Sequence, residues 1–186
     1  GLGVKENGIW RKVNVPRGAE PFLQFVDGVD TSANLHIIYA MSGTFPYGAE
    51  DRRNVSRIYK TDCGGRKWES VGTGLLNKKI NGADDPEFAS IAISYYHPEN
   101  IYVSYSELQF HNDSVGFGVA KSSDYGANWE LSWNDKLSTR EKYSKCLASP
   151  NRESSWIDER FGPGWGENPF YIKVSDQDPD IGYTTD

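Results

Sequence analysis

Three polar segments hold most of the side chains able to do chemistry. Thr44–Ser56 carries Tyr47, Glu50, Asp51, Arg52 and Arg53; Leu108–Val115 carries His111, Asn112 and Asp113; Asn134–Asn168 carries Arg140, Tyr143, Arg152, Trp156, Asp158, Glu159, Arg160 and Trp165. Planar aromatic groups beside charged hydrogen-bonding groups suit sugar binding, because ring faces stack on Trp while hydroxyl groups bridge to Asp, Glu, Arg and Asn. On that reading Tyr47, Arg52, Arg53, Arg152, Trp156, Arg160 and Trp165 bind substrate. His111 is a candidate general base, since imidazole titrates near neutrality. Asp51 or Glu50 with Asp113, Asp158 or Glu159 are candidates for the carboxylate pair that glycoside hydrolysis needs at a separation of about 5–9 Å. On a uronic-acid polymer, Arg52, Arg53, Arg152 or Arg160 would clamp the carboxylate, with His111, Tyr47 or Tyr143 as base or acid. The plainer alternative is that these charges are solvated and form weak surface pairs, and that Trp156 and Trp165 cover the core beneath a long segment.

Other chemistries find no footing. The chain has no Gly-x-Gly-x-x-Gly, no phosphate-binding loop, no His-Glu-x-x-His, no Cys-x-x-Cys and no Gly-x-Ser-x-Gly. No cofactor is expected, while a structural or catalytic divalent cation stays open. The 186 residues suit one domain, and a net charge of −6 repels polyanionic nucleic acid. No run of 18 apolar residues exists, so membrane insertion is not expected. Cys63 and Cys146 are either a lone disulfide or two unrelated thiols. Asn54-Val55-Ser56 and Asn112-Asp113-Ser114 match the glycosylation triplet and favour a secreted or periplasmic location.

The elements that must position these segments read as strands. Aromatic residues make up 13% of the chain, with 19 Gly and 9 Pro, and no stretch carries a sustained 3.6-residue apolar period. Apolar runs bounded by turn residues predict an all-β chain with strands at Ile9–Val15, Phe22–Val26, Leu35–Met41, Arg57–Thr61, Lys67–Val71, Ala89–Tyr95, Ile101–Tyr105, Gly116–Ser122, Asn128–Trp133, Phe170–Val174 and Gly182–Thr184.

The chain also repeats itself. Thr61-Asp62-Cys63-Gly64-Gly65-Arg66-Lys67-Trp68 and Ser122-Ser123-Asp124-Tyr125-Gly126-Ala127-Asn128-Trp129 share one frame, their tryptophans 61 residues apart. Each follows a strand that ends in Lys, at Lys60 and Lys121. Strand, Pro turn, strand recurs as well, around His97-Pro98-Glu99 and Asp178-Pro179-Asp180. Glu6-Asn7-Gly8-Ile9-Trp10 is a candidate tail of a third copy.

The octapeptide resembles the Asp-box, the bacterial neuraminidase repeat, whose pattern is Ser/Thr-x-Asp-x-Gly-x-x-Trp/Phe. The second copy, with Ser122, Asp124, Gly126 and Trp129, matches at every defined position. The first, with Thr61, Asp62, Gly65 and Trp68, has Cys63 where the pattern has Asp. The resemblance implies part of a single β-propeller built from four-stranded blades. Residues 1–15 would end one blade, 22–74 and 88–134 would form the next two, 135–167 would link, and 168–186 would open a fourth. It further implies that the rest of the propeller is supplied by a second polypeptide or a cleaved segment. In such propellers the boxes sit at the rim away from the ligand face, which would gather all three polar segments on the other face. The implied activity is a glycoside hydrolase or polysaccharide lyase acting on a carbohydrate. The alternatives are a sortilin-like binder of peptides or proteins and a purely structural run of blades. Sialidase activity itself is not implied, because Arg57-Ile58-Tyr59 enters the first box as a strand and is not the Arg-Ile-Pro motif of that family.

Overall fold

Alternation along the strands decides the architecture. In the segment Phe88–Ser94, Phe88, Ile91 and Ile93 bury themselves toward one neighbour, while Ala92 packs toward another. A strand covered on both faces requires layers on both sides, and the computed structural model of the chain supplies them. It describes residues 3–16, 22–42, 57–72, 87–109, 114–138, 146–147 and 171–185.

Every regular element among the described residues is a strand, and all pairing is antiparallel. A hairpin of β1 (Gly3–Glu6) and β2 (Ile9–Lys12) comes first. A four-stranded meander follows: β3 (Phe22–Asp30), β4 (Leu35–Ser42), β5 (Arg57–Thr61) and β6 (Glu69–Ser70). A five-stranded meander comes next, with β7 (Glu87–Ser94), β8 (His97–Gln109), β9 (Ser114–Ser122), β10 (Glu130–Ser138) and β11 (Cys146–Leu147). The hairpin of β12 (Tyr171–Val174) and β13 (Gly182–Thr185) is last. None of these sheets closes on itself among the described residues.

Several boundaries differ from the sequence reading. The strand expected at Ile9–Val15 is present as β2 but ends at Lys12, and it is the second arm of a tight hairpin whose turn residues Asn7 and Gly8 adopt positive φ, at 51° and 81°. Asn-Gly favours this two-residue turn, whose twist matches the flanking strands. Trp10 stands 70% exposed, unlike the buried Trp129. β8 begins at His97, before the expected Ile101, and β10 continues to Ser138 with β11 after it, inside the stretch read as a link.

The layers stack face to face. Ile37, Tyr39 and Met41 of β4, Ile58 of β5 and Val71 meet Phe88, Ile91, Ile93, Ile101, Val103, Tyr105, Ala120 and Trp129 in the larger core. Ala92 and Val119 on the opposite face of the second meander meet Ile172 and Val174 of β12, with Tyr102 against them. Each Val, Ile, Phe or Met side chain fully removed from water in this way contributes about 1.5–3 kcal/mol.

Polar side chains fix the layers in register. Gln24 accepts from Ile91 N at 3.0 Å and donates to Ile91 O at 2.9 Å, so its amide acts as one rung of an extra strand. Ser90 Oγ donates to Gln24 at 3.2 Å and accepts from Ile172 N at 3.2 Å, which carries the link into the next hairpin. Gln24 and Ser90 occupy equivalent irregularities in β3 and β7, where the register shifts between Phe22 and Gln24 and between Phe88 and Ser90.

The connections sort to two ends. In each meander the first-to-second and third-to-fourth turns share one end, and they are tied to one another across layers and within a layer. Val29 N donates to Tyr95 O at 2.7 Å across layers, and Tyr125 N donates to Glu99 O at 3.1 Å within the second meander. Segments 43–56 and 110–113 leave and rejoin the sheets at the other end, beside the Ser42–Arg57 and Gln109–Val115 pairs.

Candidate functional site

The two octapeptides are the most detailed local structures of the described chain, and one hydroxyl organises each. After β9, Ser122 Oγ accepts from Gly126 N at 2.9 Å and Asp124 N at 3.3 Å. Its own proton goes to Asp124 Oδ1 at 2.8 Å. Asp124 reaches forward to accept from Asn128 N at 2.8 Å and Asn128 Nδ2 at 2.7 Å. Those Asn128 bonds hold the Asp124 carboxyl below the usual carboxylate range. Tyr125 and Gly126 take positive φ, at 60° and 87°, which turns the chain back toward Trp129.

The turn after β5 repeats this frame with one weak point. Thr61 Oγ1 accepts from Gly65 N at 3.1 Å and Cys63 N at 3.4 Å, and Gly64 and Gly65 take φ of 63° and 78°. At the Asp124 position the Cys63 thiol lies 3.6 Å from Thr61 Oγ1 and 3.7 Å from Lys67 O. A thiol is a poor acceptor, so the bond to the residue 67 amide that a carboxylate would make is lost. Asp62 is exposed and does not replace it. Cys63 is a free thiol. Cys63→Asp is expected to raise stability by about 1 kcal/mol, a typical gain for capping free backbone donors. Urea unfolding of the two proteins checks this, and an unchanged or lowered midpoint goes against it.

Each turn docks on the layer before it. A Cβ added to Gly126 would stand 2.7 Å from Val71 Cβ, and one added to Gly65 would stand 2.7 Å from Val13 Cγ1. Trp129 Nε1 donates to Val71 O at 2.8 Å and Gly126 O at 3.0 Å. Val13 lies three residues after Trp10, and Val71 three after Trp68. The same relation therefore joins the first hairpin to the first meander and the first meander to the second. The first joint is looser: Trp68 Nε1 is buried without a partner among the described residues. An apolar cleft of about 240 Å³ remains there, lined by Val4, Val13, Phe25, Ile38 and Trp68. The cross-strand pair His36–Asp27, at 2.8 Å, belongs to the same cleft.

A second polar joint lies where the turns meet. Asp30 Oδ1 accepts from Ser32 N, Ser32 Oγ and Ala33 N at 2.9, 2.6 and 3.1 Å, and Oδ2 accepts from Tyr125 OH at 2.7 Å. The Ser32 and Tyr125 hydroxyls hold Asp30 down to about 2, while burial and then Asp30 push Tyr125 up to about 12. Asp30 therefore contributes stability that is complete above its ordinary value of 3.8 and is lost as pH falls toward about 2. Tyr125 contributes stability that is complete below its ordinary 10 and is lost as pH rises toward about 12. Tyr125→Phe is expected to shrink the alkaline loss of the urea midpoint. An alkaline limb identical to the parent's would contradict the joint.

The residues expected to bind or act on substrate lie outside the described residues: Tyr47, Glu50, Asp51, Arg52, Arg53, His111, Asn112, Asp113, Arg140, Tyr143, Arg152, Trp156, Asp158, Glu159, Arg160 and Trp165. The described strand ends set where two of their segments depart, at Ser42 and Gln109, opposite the octapeptide turns. Tyr125, Asp30, Gln24 and Ser90 escaped the sequence reading. Only the repeated Pro turns pointed toward the joints between layers. Among the described residues no group of three or more His, Cys, Asp or Glu could hold a metal ion, and no helix is long and apolar enough to cross a membrane. No protein-family model matches the chain, and no curated protein matches it.

Proposed function

We propose that the chain is a run of β-propeller blades whose end opposite the octapeptide turns binds carbohydrate and cleaves it, as a glycoside hydrolase or polysaccharide lyase. The observation that carries this reading is the sorting of connections. The two repeated turns dock layer on layer at one end, and the segments that hold Tyr47, Asp51, Arg52, Arg53, His111 and Asp113 depart from the other. Stacked sheets related by one recurring joint are how propeller blades pack. A rigid scaffold that presents variable connections at one end is where function concentrates in such folds. On this reading further blades, from the same or a second polypeptide, complete the ring. His111 serves as base or acid, a carboxylate from Asp51, Asp113 or Asp158 works with it, and Trp156 and Trp165 stack on sugar rings. The substrate is an extracellular polysaccharide, met by a secreted or periplasmic protein.

Purified protein should be incubated with a panel of neutral and uronic-acid polysaccharides, reading new reducing ends for hydrolysis and unsaturated uronate absorbance for lysis. Turnover of one polymer is expected, reduced about 10²–10⁴-fold by His111→Ala. Tyr96→Ala, at the octapeptide end, should leave it unchanged. Saturable binding without turnover would make the chain a binding propeller, and neither binding nor turnover would overturn the proposal.

A further inference from the structure

Two successive joints use one device, and a third copy of it faces outward. Tyr39 on β4 donates its hydroxyl to Pro98 O at 2.8 Å, and Tyr102 on β8 donates to Pro179 O at 2.7 Å. The registers make these tyrosines equivalent. Tyr39 pairs with Val26 and Lys60, and Tyr102 pairs with Ala92 and Lys121. The acceptors correspond too, since each proline precedes an acidic residue: Pro98 and Glu99 at the start of β8 just after its turn, Pro179 and Asp180 in the β12–β13 turn. At the second joint Lys121 reaches that acid directly, 2.7 Å from Asp180 Oδ1. Main-chain bonds accompany both joints, from Val29 N to Tyr95 O at 2.7 Å and from Tyr96 N to Asp176 O at 3.4 Å.

The third copy is Tyr183. It pairs with Lys173 as Tyr102 pairs with Ala92, so it holds the same position in its hairpin. Ile172 and Val174 point back into the smaller core, and alternation sends Tyr171, Lys173 and Tyr183 to the other face. There Tyr171 is 53% and Tyr183 68% exposed, whereas Tyr39 is fully buried.

We infer that the outer face of β12–β13 docks one further strand–turn–strand hairpin that carries a proline followed by an acidic residue in its turn or just after it, with the Tyr183 hydroxyl donated to that proline's carbonyl. The inference rests on reading the stack as a repeating propeller, and it names the chemistry of the next contact. Tyr171 and Tyr183 supply the apolar ring area, and the hydroxyl fixes register, as at the two formed joints.

The probe is a cyclised peptide with the sequence of residues 88–105, which contains the turn at Tyr95 and Tyr96 and the His97-Pro98-Glu99 segment after it. Titrated into the chain and followed by NMR, it should bind saturably, with shift changes concentrated in residues 171–185. Tyr183→Phe keeps the ring and should weaken binding about two- to ten-fold, the worth of one hydrogen bond. Tyr39→Phe, at a joint already filled, should lower the chain's stability and leave peptide affinity unchanged. Absent binding, shifts elsewhere, or an indifferent Tyr183→Phe would overturn the inference. So would self-association of the chain through this face in place of peptide binding. Polysaccharide turnover reads the opposite end, so failure of the peptide with turnover intact rejects this contact alone.

Discussion

Trp129→Ala is expected to lower the unfolding free energy by about 3–5 kcal/mol, near the largest effect of any single truncation in the chain. Its side chain is 7% exposed and sits in the larger core with Val71, Ile58 and Ala120. Truncation leaves a cavity between two sheets and strips Val71 O and Gly126 O of the indole donor. Trp129→Phe keeps most of the volume and should cost about 1–3 kcal/mol, chiefly for those carbonyls. Trp68→Ala is the matched comparison. Trp68 is half-buried, stacks on Phe22 with ring centroids 6.2 Å apart, and has a buried N–H without a partner among the described residues. Its loss should cost clearly less than that of Trp129. Urea unfolding of the three variants checks the order, and equal costs for Trp68→Ala and Trp129→Ala would show that the joints are not built as described.

Gly126→Ala should cost about 2–4 kcal/mol, from two sources that a control can separate. The first is the backbone: φ at Gly126 is 87°, where a Cβ crowds the following carbonyl. The second is the neighbour. The added Cβ would stand 2.7 Å from Val71 Cβ and 3.0 Å from Val71 O, and main chain cannot step aside without lifting the turn off the preceding layer. Gly8 has a similar φ of 81°, but nothing lies within 4 Å of its added Cβ. Gly8→Ala should therefore show the backbone cost alone, about 1–2 kcal/mol. A difference near zero between the two variants would mean that Gly126 is needed only for its turn and not for docking.

The fold class was legible because short apolar runs between turn residues, with no sustained 3.6-residue period, fit strands and not helices. Segments such as Arg57–Thr61 and Ala89–Tyr95 announce themselves by β-branched and aromatic residues between turn formers. The octapeptide repeat was legible because a hydroxyl, a Gly at positive φ and a Trp must keep fixed spacing to close one hairpin. What escaped were contacts with no local period. Gln24 grips Ile91 from 67 positions away, and Tyr125 reaches Asp30 across 95. Such bonds depend on which layers stack, which no single strand records. Gly3–Glu6 escaped for another reason: its four residues carry little apolar surface, and only pairing across Asn7-Gly8 makes them a strand. The candidate site was legible as residue types and not as geometry. Polar segments encode composition without periodicity, so His111 and Trp156 could be singled out but not brought to measured distances.

The account stands or falls on which end of the stack meets a ligand. Residue-resolved NMR of the protein titrated with an oligosaccharide of whichever polysaccharide in the panel it binds or cleaves tests this most directly. The account predicts shift changes at the strand ends Ser42, Arg57, Gln109 and Ser114, with the turns at 61–68 and 122–129 unmoved. Changes centred on those turns, with the opposite strand ends silent, would contradict it.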